Sequence, residues 1–66
     1  MNVLERDAIR LVAMSVRQGA RAATEVREAV TLGIYAISDD ADACHHAIDN
    51  AMALYGMIVA VVESSP

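Results

Sequence analysis

Apolar and small residues recur at alternating steps of three and four through the first half of the chain: Ile9, Val12, Val16, Gly19, Ala23, Val26, Val30, Gly33 and Ile37. That spacing holds one narrow seam on a single side of a helix, and it predicts a helix over about residues 2–36 with the seam turned to a partner helix. The flanking row Ala8, Ser15, Ala22, Ala29 and Ala36 is small throughout, so two backbones can approach more closely than across a leucine seam. Asn2 followed by Glu5 forms a helix-starting pair. A helix of this length runs to about 52 Å at 1.5 Å per residue, and its glycines, Gly19 and Gly33, are where a bend or break is expected.

Ser38-Asp39-Asp40 is the turn-like cluster that divides the chain. A second helix is predicted over about residues 39–63, with Ser38 as N-cap and Asp39, Asp40 and Asp42 placed to suit its dipole. Its seam is Ala41, Cys44, Ile48, Ala51, Tyr55, Ile58 and Val62. Asp42, His46, Asp49 and Asn50 give its first half a polar face. Its second half has none, because Ala53, Gly56, Met57 and Ala60 take the outward positions. A helix that is apolar all round has to be buried on every side, and two helices of one chain cannot do that.

The fold expected is therefore all-α: residues 1–66 form one antiparallel two-helix hairpin, and two copies pair into a four-helix bundle. The residues expected at the interface are Ile9, Val12, Val16, Ala23, Val26, Val30, Ala53, Tyr55, Met57, Ile58, Ala60 and Val61. A competing arrangement, α-β-α-β, makes strands of Val30–Ile37 and Met57–Val62, which are rich in β-branched residues.

Composition adds a constraint of size. Sixty-six residues sit near the lower limit for an independent core, and the single cysteine, Cys44, rules out an internal disulfide. The hydrophobic fraction is 56% and Tyr35 and Tyr55 are the only aromatics, so aliphatic helix packing has to supply the stability. The charged run Glu5, Arg6, Asp7 and Arg10 near the amino end does not read as a signal peptide. The apolar run Ala51–Val62 is shorter than the roughly 20 residues of a membrane-spanning helix. A cytoplasmic location without membrane association is the expectation.

Charge divides the chain. Arg6, Arg10, Arg17, Arg21 and Arg27 against Glu5, Asp7 and Glu25 give residues 1–27 a net of +2. Glu28, Asp39, Asp40, Asp42, Asp49 and Glu63 give the remainder −6, and the sum is the chain's −4. The two halves can attract one another within a chain or between chains.

No catalytic motif or phosphate loop is visible, and no cofactor is expected. Metal-ligand side chains concentrate in Asp42, His45, His46 and Asp49. Asp42 and His46 lie one turn apart, as do His45 and Asp49, so each pair supplies two of the three or four ligands a zinc or nickel site needs. Adjacent histidines project about 100° apart, which favours a polar helix start over a metal site. Cys44 falls on the seam and reads as a small buried hydrophobe, with Ile48 occupying the position from which a base would reach it. Arg10, Arg17 and Arg21 are expected to meet the acids of a partner. A net negative chain without lysine is a poor nucleic-acid binder. Met14, Met52 and Met57, with Leu11, Leu32 and Tyr35, fall off the seams and suit an adaptable binding surface.

Surplus apolar helix surface without a catalytic constellation leads to a non-enzymatic interaction protein, one that pairs with itself and inhibits, chaperones or scaffolds another protein. The alternatives are a small metal-binding protein using Asp42, His45, His46 and Asp49, and a DNA-binding dimer.

Overall fold

The computed structural model describes residues 2–20 and 22–64. All of their regular structure is helical: α1 Val3–Arg17, α2 Ala23–Ile37, α3 Ala41–Ala53 and α4 Tyr55–Ser64.

The expected single helix over 2–36 is two helices, α1 and α2, broken at the first of the two glycines. Gly19 has φ +107°, a region costing other L-residues about 1–2 kcal/mol. The chain stops there with paired bonds: Gly19 N–H donates to the Val16 carbonyl at 3.1 Å, and Ala20 N–H reaches back to the Ser15 carbonyl at 3.0 Å. These are the two hydrogen bonds of a Schellman stop, and they satisfy carbonyls the helix end would leave orphaned. Ala20 packs against the core as the chain reverses. At the other end of α1, Asn2 accepts from Glu5 N–H at 2.8 Å, as its spacing predicts.

Reversal at Gly19 lays α2 back along α1. Ala8, Val12 and Val16 from α1 meet Val26, Val30 and Ile34 from α2, all essentially without solvent exposure. The middle of the heptad, Val12, Val16, Val26 and Val30, thus supplies two inward faces of a helical hairpin, while Ala23 and Ile37 on the same seam are exposed and Ile34, off it, is buried. Gly33 leaves room for the Leu11 side chain: a Cβ built there would lie 2.7 Å from Leu11 Cδ1. α2 has no side-chain cap at Ala22, so its start is held by packing and backbone bonds, with Val26 N–H donating to the Ala22 carbonyl at 3.1 Å.

α3 closes the core with Cys44, Ala47, Ile48 and Ala51. Its N-cap is Asp40 and not Ser38. The Asp40 carboxylate accepts from Ala43 N–H at 3.1 Å, while Ser38 Oγ accepts from Asp40 N–H at 3.2 Å and shapes the approach. The charged acceptor takes the better position at the positive helix end.

The helix expected over 39–63 is likewise divided, at Leu54, where α3 and α4 meet at 54°. Neither proline nor a positive-φ glycine lies at the bend. Leu54 N–H donates to the Ala51 carbonyl at 3.0 Å in a tightened last turn, and Ile58 N–H restarts the ladder on the Leu54 carbonyl at 2.9 Å. What the bend achieves is tertiary: Tyr55, Ile58, Val59 and Val62 fold onto the core, mainly along α1. The strand alternative is replaced by helix in both segments, residues 30–37 lying in α2 and 57–62 in α4. No strand occurs among the described residues.

Candidate interaction surface

The accessible surface is 4276 Å², close to the roughly 4,000 Å² of a compact monomer of 7.0 kDa. The amount of exposed surface is therefore ordinary, and its chemistry is not. α4 contributes no fully buried residue: one side leans on α1, while Met57 and Val61 on the other are 66% and 60% exposed. With Ala60 they lie at steps of three and four, which makes a continuous apolar stripe. A second apolar area lies on α2, where Leu32 is 76% exposed and Tyr35 and Ile37 are also open.

The expected interface residues separate into three groups. Val12, Val16, Val26 and Val30 are buried in the chain's own core. Ile9, Tyr55 and Ile58 are half-buried against it. Ala23, Ala53, Met57, Ala60 and Val61 are exposed. Of the off-seam residues, Met14, Leu32, Tyr35 and Met57 are exposed, and Leu11 and Met52 pack against the core. Ile37 was legible only as a seam residue. It is the last residue of α2 and is 58% exposed.

Beside Leu32 runs a shallow open groove of about 570 Å³ along α2, lined by Thr24, Arg27, Glu28, Thr31 and Leu32. Arg27, on its wall, reaches towards α3 and donates to Asp49 Oδ1 at 2.6 Å. The other oxygen, Asp49 Oδ2, meets His45 Nε2 at 3.0 Å. The Arg27 hydrogen bond, aided by the His45 charge, holds the Asp49 carboxyl below the usual aspartate value of 3.8 against the opposing effect of desolvation. A second polar tie joins α3 to α1, Asn50 Nδ2 donating to Glu5 Oε1 at 3.3 Å. Neither tie follows from sequence spacing, because each links residues more than 20 apart.

Asp42, His45, His46 and Asp49 do not converge. The His45 and His46 rings stand 6.5 Å apart at 63°, and among the described residues no three His, Cys, Asp or Glu side chains group as a metal site would require. Cys44 is fully buried, its Sγ facing the Ser38 carbonyl at 3.6 Å and the Ile34 carbonyl at 3.8 Å. Arg10 pairs with Asp7 at 3.0 Å, Arg17 is exposed in the last turn of α1, and Arg21 lies outside the described residues. Among the described residues no single helix is long and apolar enough to cross a membrane.

No protein-family model, curated protein or solved structure matches this chain.

Proposed function

We propose that the chain is a non-enzymatic interaction module that binds another protein through helix-to-helix contacts and thereby regulates it, as inhibitor, chaperone or scaffold. The observation carrying this reading is α4, whose outer stripe of Met57, Ala60 and Val61 is exposed although every residue from Tyr55 to Val62 is apolar or glycine. An apolar helix face of this kind suits an amphipathic helix of a partner, which would anchor at steps of three and four. Burying a side chain such as Met or Val completely stabilises by about 1.5–3 kcal/mol. Scaled by their exposure, Met57 and Val61 together contribute roughly 2–4 kcal/mol to such a complex, or about thirty- to several-hundred-fold in Kd.

The test is affinity capture from source-cell lysate with the intact chain and with a Met57→Asp/Val61→Asp variant. The expected result is a stoichiometric protein that survives moderate salt and is lost with the variant, whose helical circular dichroism stays unchanged. A helical monomer that retains nothing, or a captured protein indifferent to the double substitution, refutes the reading. Self-pairing through the same stripe is the competing occupant, and it would show as a salt-insensitive rise in mass with concentration that the double substitution abolishes.

A further inference from the structure

α1 is sharply two-sided. Ala8, Val12, Ser15 and Val16 are buried. Arg6, Arg10 and Arg17, four and eleven positions apart, fall within about 40° of one another at 3.6 residues per turn, on the opposite side. Val3 and Met14 lie along one edge of this row, 62% and 43% exposed. The start of α3 presents the reverse charge in Asp39 and Asp42, both exposed. Within the chain, the ion pairs among described residues are Arg10–Asp7, Arg27–Asp49 and His45–Asp49, so Arg6, Arg17, Asp39 and Asp42 are engaged in none. Both signs of charge are thus left over on one small body, on different helices.

We propose that these faces are the two halves of a self-pairing surface: a second copy of this chain docks the acidic start of its α3 on the arginine face of α1, and receives the reciprocal contact. The reciprocity closes the pair with two-fold symmetry and uses both leftover charges twice. Register is set by repulsion as well as attraction, since α1 against α1 or α3 against α3 opposes like charges. Val3 and Met14 supply the apolar contact beside the pairs. Exposed ion pairs are individually weak and screened by salt, so the association is modest and sensitive to ionic strength. This surface is separate from the α4 stripe and stands or falls without it.

Sedimentation equilibrium of the full chain, at low and high salt, measures the self-association. The mass is expected to rise from 7.0 kDa towards twice that value with concentration at low salt, with a Kd at least about tenfold weaker at high salt. Arg6→Glu/Arg17→Glu and Asp39→Arg/Asp42→Arg are each expected to stay monomeric, and an equal mixture of the two to restore a one-to-one dimer. Should the second variant fail to fold, Asp39→Asn/Asp42→Asn weakens the dimer by removing the attraction alone. Met57→Asp/Val61→Asp leaves the dimer intact, which separates this surface from the partner-binding one. Monomer at every concentration in low salt overturns the proposal. So does association that ignores salt and the α1 substitutions, or a charge-swapped mixture that stays monomeric. Retention of duplex DNA that depends on Arg6 and Arg17 in an otherwise monomeric chain assigns the arginines to phosphates and overturns it equally.

Discussion

Gly19 and Gly56 allow one substitution to be tried at two sites with opposite backbone demands. A Cβ at either position meets nothing within 4 Å, so sterics with other residues drop out. Gly19 sits at φ +107°, while Gly56 lies inside α4 and, among the described residues, positive φ is confined to Gly19. Placing L-alanine at Gly19 imposes about 1–2 kcal/mol of left-handed strain, offset in part by about 0.4–1 kcal/mol from a stiffer unfolded chain. The net expectation is a loss of about 1 kcal/mol. At Gly56 the same change removes the entropic penalty of glycine in a helix and gains about 0.5 kcal/mol, the low end because the site is in the first turn. For a domain of this size 1 kcal/mol shifts Tm by about 4–8 °C. Thermal unfolding followed at 222 nm should therefore show Gly19→Ala below the parent chain and Gly56→Ala slightly above it. The 66-residue chain is short enough for chemical synthesis, and D-alanine at position 19 supplies the decisive control. Its preferred φ is positive, so it should exceed the parent by several tenths of a kcal/mol. A Gly19→Ala chain as stable as the parent, or D- and L-alanine behaving alike, would refute the account of why α1 ends where it does.

Other consequences can be checked with the same melts. Ile34→Ala, at a fully buried site facing Cys44, should cost about 2–5 kcal/mol and leave little folded protein at 37 °C; a loss below 1 kcal/mol would mean the core is not packed as described. Asp40→Ala should cost about 1 kcal/mol and Ser38→Ala clearly less, an order that reverses if Ser38 is the true cap. The folded-state pKa of Asp49 is depressed, so its contribution is fully present above pH 3.8 and is lost as pH falls through the folded value. Acid titration of the parent against Arg27→Gln should show the parent's advantage shrinking in that window, and parallel curves would show the ion pair to be inert. The Cys44 thiol should resist a thiol reagent in the native state and react at a rate that tracks unfolding; immediate labelling would contradict its burial.

Much of the local structure was legible in the residues. Asn2 and Glu5 mark the start of α1, and Gly19 was one of two positions at which a long helix had to give way. The seam of α3 through Cys44, Ile48 and Ala51 is the face it buries. Each of these depends on interactions within a few residues, which sequence spacing records. The Ser38 cap was misjudged because Asp40, two residues on, competes for the same helix end and brings a charge to it. The candidate surface was only partly visible. The apolar character of α4 and its outward row of Met57 and Ala60 were plain, but the open end of α2 was not, since the seam turned Ile37 inward and the structure leaves it exposed.

The sequence by itself determined that this chain is helical, that its core is aliphatic and that its charge is split between halves, because period, composition and sign are local properties. Tertiary structure alone decided that Val12, Val16, Val26 and Val30 of one heptad face each other across two helices, and that Ile34 joins them while Ile37 stays outside, since a repeat reads the same on a straight helix and on a hairpin. It also decided the 54° bend at Leu54, where no breaking residue stands and the burial of Tyr55, Ile58, Val59 and Val62 against the core sets the direction of the chain. The pairing of Arg27 with Asp49 belongs to the same level: two exposed charges 22 residues apart meet only because α2 and α3 are packed on a common core.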